Sequence, residues 1–149
     1  MKSTKKLKKR ERGSTLVEFS IAATVFLTML FAVLEFGRAL WVHNALTDAA
    51  RRGARYAVLH PQSSADNVKN VVVYGDPAGG TTPLVPNLST TGNVQVSYSN
   101  FGLNTGTVNV QITGYQFQFV ISFVGTSITM PNYNTTLTGE SVGLIPADI

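Results

Sequence analysis

Three hydrophobic patterns follow one another along the chain. Phe19 to Leu34 is a run of 16 residues without a charge. From Ala39 the apolar and small positions spread out to Ala39, Val42, Leu46, Ala49, Gly53 and Tyr56, the 3-4 repeat of a helix with one covered face. Later the period falls to two. Val94, Val96 and Tyr98 alternate with Gln95, Ser97 and Ser99, and Val108, Val110 and Ile112 alternate with Asn109, Gln111 and Thr113. Together these patterns predict an α+β fold, with a long N-terminal helix (transmembrane, then extramembrane) followed by a small antiparallel β-sheet.

Length decides what the first run can do. As a helix rising ~1.5 Å per residue, Phe19 to Leu34 covers about 24 Å, short of a ~30 Å hydrocarbon core. Counted from Ser14 it covers about 31 Å, which spans the core but puts Glu18 inside it or at its edge. No proline interrupts Glu35 to Leu59, and Pro61 sets a stop near His60. The helix is therefore expected from about Ser14 to Leu59. Ala45, Ala49, Gly53 and Ala57 recur every fourth residue and allow a partner helix or sheet to approach closely. Asp48, Arg51, Arg52 and Arg55 fall towards the other side, as a solvated charged face or an inter-subunit one. Asp48 has the spacing to pair with Arg51 or Arg52. Glu35 and Arg38 form a second candidate pair where the helix leaves the bilayer, with Trp41 as an interfacial anchor.

Beyond Pro61 the signals are mixed. Val68, Val71 and Val72 suit a short helix within residues 63–74, whereas Val71-Val72-Val73-Tyr74 suits a strand. Residues 75–93 are rich in Gly, Pro, Thr and Asn and read as a long loop. The two alternating stretches form a hairpin across a loop holding Asn104-Thr105-Gly106, with one face covered. Past Gly114, a bulge or bend, the alternation continues through Tyr115, Phe117, Phe119, Ile121 and Phe123, an aromatic row that serves as core against the helix seam. A last strand is expected from about Asn134 to Val142.

Charge narrows the functional classes. The net charge of +4 is segregated: residues 1–12 hold Lys2, Lys5, Lys6, Lys8, Lys9, Arg10 and Arg12 against Glu11 alone. From Tyr56 onward Lys69 faces Asp66, Asp76, Glu140 and Asp148. A nucleic-acid binder spreads its bases over a folded surface; a basic tag beside an apolar run follows the positive-inside rule instead. The chain has no cysteine, which removes disulfides and thiol chemistry. His43 and His60 lack companions at ligand spacing, so neither a metal nor another cofactor is expected. No nucleophile, metallopeptidase or phosphate-loop motif is present, and the carboxylates stand apart, which argues against an enzyme.

Three readings of the N-terminus compete. A cleaved secretory signal peptide fits the basic start, but Glu18 falls in its apolar part and no small-x-small site follows promptly. A plain signal anchor accounts for everything except Glu18 and Gly13. In the third, a peptidase at the cytoplasmic membrane face cuts after Gly13, so that the mature chain starts Ser14-Thr15-Leu16-Val17-Glu18-Phe19. A carboxylate at the bilayer centre costs about 2.5–3.5 kcal/mol on insertion scales and calls for a partner. The positive end of the helix dipole supplies one, and the freed α-amine of a neighbouring subunit another.

The stretch Arg12-Gly13-Ser14-Thr15-Leu16-Val17-Glu18-Phe19, the apolar helix, Glu35-Phe36-Gly37-Arg38 and Asp48-Ala49-Ala50-Arg51-Arg52-Gly53-Ala54-Arg55-Tyr56 together resemble the TadE-like family of pseudopilins. The resemblance is close over residues 10–59 and loose over the later strands. It implies a pilin-like fold and a structural part in a tight-adherence (Flp) pilus or secretion system. Gly13, Ser14, Glu18 and Phe19 are then the processing residues. The implied partners are a prepilin peptidase, other pilin or pseudopilin subunits (TadF-like, Flp-like), an inner-membrane assembly platform and the lipid bilayer, with no nucleic acid. The implied organisation is a basic leader at 1–13, a transmembrane part of the helix at 14–34, its extramembrane continuation at 35–60 and a β-rich extracytoplasmic domain at 61–149. The implied location is a bacterial inner membrane, N-terminus in the cytoplasm, or a surface filament. The competing expectation is an uncleaved, membrane-anchored surface or adhesion module.

Overall fold

The computed structural model describes the backbone of residues 5–12 and the whole of residues 13–99, 106–121 and 125–138. It has the α+β architecture expected from the periodicities. Helix α1 runs Lys5–Val58, and a single 3-10 turn, Gln62–Ser64, leads into α2, Ala65–Tyr74. Five strands follow: β1 Val94–Ser99, β2 Thr107–Ile112, β3 Gln116–Gln118, β4 Ser127–Thr129 and β5 Tyr133–Thr138. The chain divides into two compact units. One gathers α1 as far as Arg38 with the segment Phe119–Thr126, and the other gathers Ala39–Gln118 with the residues from Ser127 onward.

In the second unit, α1 contributes a covered stripe wider than its 3-4 repeat implies. Val42, Leu46, Ala49, Ala50, Ala54 and Ala57 are all buried, with Gly53 among them, while Ala39 and Tyr56 are only partly covered. The small residues are needed because other elements come very close. A Cβ on Gly53 would collide with Val72 of α2 and sit 3.4 Å from Val110 Cγ1 of β2. Of the row Ala45, Ala49, Gly53 and Ala57, the last three are therefore buried within this chain, and only Ala45 keeps partial exposure. The helix ends where Pro61 requires it to end. The Leu59 amide turns back to the Tyr56 carbonyl at 3.2 Å, and His60 stacks on the Tyr56 ring while its Nδ1 bonds the same carbonyl at 2.8 Å.

Residues 65–74 resolve as helix. Val68, Val71 and Val72 fall on one buried face, joined by Val73, a pattern that a strand would split between two faces. Gly75, at φ 79°, ends α2 in the left-handed conformation, its N–H bonded to the Val71 carbonyl at 3.0 Å. The loop after it is packed down. Val85 and Leu88 are buried, the Leu84 amide bonds the Val73 carbonyl at 2.8 Å, and Tyr115 Oη donates to the Pro86 carbonyl at 2.7 Å.

β1 and β2 form the expected antiparallel hairpin, in a register that sets Val94 opposite Ile112, Val96 opposite Val110 and Tyr98 opposite Val108. Its turn residues Asn104 and Thr105 lie outside the described residues. Asn93 lengthens the ladder: its carbonyl accepts from the Thr113 amide and its side chain donates to the Thr113 carbonyl. β5 pairs antiparallel with the other edge of β2, giving the order β1-β2-β5 with β2 central. The last strand thus starts one residue early, at Tyr133, and is described as far as Thr138. The outward row of this sheet carries only Asn, Gln, Ser and Thr, with Asn109 bonded across to Asn134 and Thr136.

The aromatic row is the main departure from the sequence expectation. Gly114, at φ 64°, turns the chain out of the first sheet. Only Gln116–Gln118 is then strand, paired with β4 in a separate two-stranded sheet. Tyr115 and Phe117 are buried, Phe119 and Ile121 are partly covered, and Phe123 lies outside the described residues.

Gly53→Ala is expected to lower stability by about 1–3 kcal/mol through overpacking against Val72. The double change Gly53→Ala with Val72→Ala should recover part of that loss in thermal unfolding of the detergent-solubilised chain. Equal melting of Gly53→Ala and the parent would refute the close approach.

Candidate functional site

The candidate processing residues lie on an uncovered helix. Gly13, Ser14, Glu18 and Phe19 are all helical and all exposed, and the apolar side chains that follow, among them Ile21, Phe26, Met29, Val33 and Leu34, are exposed as well. α1 is long and apolar enough to cross a membrane over its 46 residues Gly13–Val58, and its most apolar window has none of its residues buried. A core helix of a water-soluble domain is covered by its own chain. The apolar run of α1 up to Leu34 is not, as suits a segment that could cross a membrane.

Gly13 has open space around it, and a Cβ there would touch nothing within 4 Å. Glycine inside a helix costs about 1 kcal/mol relative to alanine, and among the described residues no packing at Gly13 offsets that cost. Gly37 is equally open, so openness alone does not mark a site. What sets Gly13 apart is the basic leader before it and Glu18 after it. Among the described residues Glu18 has no hydrogen-bond or ion-pair partner.

The hydroxyls of the apolar run were not singled out by sequence reasoning. Ser20 Oγ bonds the Leu16 carbonyl at 2.7 Å, Thr24 Oγ1 the Ser20 carbonyl at 2.8 Å, and Thr28 Oγ1 the Thr24 carbonyl at 2.8 Å. Each polar group is satisfied inside the helix, as lipid requires. Ser20, Thr24, Thr28 and Ala32 form a small-residue row at four-residue spacing, legible in the sequence beneath the louder hydrophobic signal. Glu18 and Ser20 are two positions apart, so a helical period of 3.6 puts Glu18 on a different face from that row.

Glu35 is the buried charge, only 4% exposed. Its Oε2 lies 2.6 Å from Arg38 Nη1, and its Oε1 accepts the backbone N–H groups of Val120 at 3.0 Å and Ile121 at 3.3 Å. Charge-assisted bonds of this kind are what make a carboxylate tolerable beside an apolar run. The other candidate pairs differ. Arg51 Nη1 reaches Asp48 Oδ1 only at 4.0 Å with both side chains exposed, a geometry of little energetic weight. Arg52 turns instead to the Val71 carbonyl, its Nε 3.4 Å away.

Trp41 is exposed. His43 meets Tyr133, Nδ1 to Oη 2.9 Å, with the rings edge to face. Burial, and then neighbouring Tyr115, raise the Tyr133 phenol above its ordinary pKa and keep it neutral. Among the described residues no group of three His, Cys, Asp or Glu side chains could hold a metal ion.

Residues 13–55 match the family described as TadE-like protein. The match begins at Gly13 and ends at Arg55, so it lies wholly within α1 and leaves α2 and the strands outside. The resemblance read from the N-terminal residues thus holds over this stretch. It points to a structural, pilus-associated component of a Tad/Flp system. No curated protein and no solved structure matches the chain significantly.

Removing the Glu35 carboxylate leaves two backbone donors without their acceptor. In Glu35→Ala, amide hydrogen exchange at Val120 and Ile121 is expected to quicken about 10- to 100-fold, the equivalent of a lost bond to a charged group. Unchanged exchange at both amides would show that the carboxylate does not hold them.

Proposed function

We propose that this chain, TadE-like over residues 13–55, is a pseudopilin. In this reading it is inserted with its N-terminus in the cytoplasm, cut between Gly13 and Ser14 by a prepilin peptidase, and packed through its N-terminal helix with other pilin-like subunits. The observation that carries the reading is Gly13 itself: a helix-interior glycine that no packing among the described residues requires, standing between a basic leader and an uncovered apolar run. A peptidase needs an extended backbone at the bond it cuts. Glycine lowers the cost of opening one helical turn there.

Orientation follows from the leader. Seven Lys and Arg residues before Gly13 favour retention on the cytoplasmic side. Cleavage would then remove those charges and create an α-amine at Ser14, four residues from Glu18. Within one helix Glu18 lies in the first turn, where the dipole favours a carboxylate. Between subunits it can pair with the amine of a neighbour, a contact that also fixes their axial stagger.

Packing supports the same reading. Ala49, Gly53 and Ala57 are buried within this chain, Gly53 against Val72 of α2 and Val110 of β2, which leaves the row Ser20, Thr24, Thr28 and Ala32 for close approach of a second helix. Glu18 lies on another face, so the helix has distinct surfaces for two neighbours, as a head-to-tail helical array requires.

A second reading, an uncleaved adhesion module, draws on the uncharged outward row of the β1-β2-β5 sheet. Intact mass of the protein purified from its own membranes separates the two. Chains beginning at Ser14, with Gly13→Ala retaining its leader and failing to assemble, are the expected result. A full-length mass in cells with an active prepilin peptidase would sink the pseudopilin reading. Thr24→Leu is expected to leave processing intact and to reduce co-purification of partner subunits at least severalfold; undiminished co-purification would move the packing seam elsewhere.

A further inference from the structure

The segment Phe119–Thr126 leaves β3 and returns in β4, and its composition does not suit a tip immersed in water. Solvent-facing hairpin tips use turn-forming polar residues whose amides bond to water. Here the first three residues are Phe119, Val120 and Ile121. Val120 is 77% exposed, more than any other large hydrophobic residue described.

The backbone N–H groups of the same three residues are all engaged within the chain. Phe119 N–H donates to the Thr126 carbonyl at 3.2 Å, and Val120 and Ile121 donate to Glu35 Oε1. A bare valine between two partly covered apolar side chains, on a backbone with its donors taken, suits lipid better than water. Glu35 also sets the level. It follows Leu34, the last residue of the uncovered apolar run, and belongs with Phe119–Thr126 to one compact unit. Leu34 and Phe36, on either side of Glu35 in sequence, are exposed. The Glu35–Arg38 pair carries no net charge into that layer.

We propose that Phe119–Ile121 lies in the boundary between headgroups and acyl chains, a second membrane contact beside the helix, held at that depth by Glu35. This rests on the membrane-anchor part of the function proposed above. Its consequence is mechanical. A lone helix can rotate about its own axis in a bilayer, whereas a helix with a lateral apolar contact has one preferred rotation. A fixed rotation would present Glu18 and the Ser20–Thr28 row in constant directions to incoming subunits.

The absence of cysteine makes the test direct. Val120→Cys, Phe26→Cys and Gln95→Cys each give one attachment point for an environment-sensitive fluorophore on the full-length protein. Each variant is placed in phosphatidylethanolamine–phosphatidylglycerol vesicles, dilute enough to separate copies. The labels at 120 and 26 should emit to the blue, lose intensity to lipid-borne doxyl groups and resist aqueous iodide; the label at 95 should do the reverse. If 26 behaves so and 120 follows 95, or is shielded from both quenchers, the loop contact is overturned while the anchor stands. If 26 is itself quenched by iodide, the anchor fails and the loop contact with it. Adding Glu35→Ala to Val120→Cys should abolish the doxyl quenching, and persistence of that quenching would overturn the depth-setting role of Glu35.

Discussion

An α-helix satisfies its own backbone hydrogen bonds whatever surrounds it, and the organisation of this chain depends on that property. α1 carries an uncovered apolar run as far as Leu34 and then, without a break, a stripe of small buried residues from Val42 to Ala57. A strand could not do both, since its unpaired edge would be intolerable in lipid. Within the apolar run the hydroxyls of Ser20, Thr24 and Thr28 return to carbonyls one turn back. In the second unit the same backbone geometry lets Gly53 admit Val72 and Val110.

Periodic features were legible in the sequence because each reflects a local rule. The valine alternation at 94–98 and 108–112 has the period of a half-covered strand, and the register pairs those valines directly. Non-periodic features were not legible. Nothing near Asn134 indicates that its strand will lie against β2 rather than β4, since that pairing joins residues distant in sequence. That the aromatic alternation belongs to a second sheet was not legible, although the bend at Gly114 was. A φ of 64° there redirects the chain, so Phe117 is buried from a different sheet. Residues 65–74 were ambiguous because three consecutive valines satisfy either period until Val68 is seen to share their buried face.

The candidate site divides along the same line. Gly13, Glu18 and the leader could be proposed from sequence because the chemistry asked of them is one of spacing along a chain. Glu35 could not. Its i+3 neighbour Arg38 is visible in sequence, but the two amides that complete its surroundings come from residues 85 and 86 positions away. The Ala45-Ala49-Gly53-Ala57 row shows the opposite limit, since spacing announces close approach without saying by what. The close approach at Gly53 is by this chain's own valines, which shifts attention for inter-subunit packing to the smaller signal at Ser20, Thr24 and Thr28.

The glycines of this chain are there for different reasons. Gly53 is required by what touches it, and Gly75 and Gly114 by positive φ. Gly13 and Gly37 have neither reason, yet each sits in a helix where alanine would be more stable by about 1 kcal/mol. Under the proposed function, the reason for Gly13 lies outside the described residues, in a peptidase that acts on the backbone at that place. For Gly37 the neighbours are Glu35 and Arg38, already engaged with each other. For Gly13 they are a run of bases on one side and, five residues on, a carboxylate without a partner among the described residues. The two glycines are alike in packing and unlike in charge, and it is the charge that makes Gly13 the bond to watch.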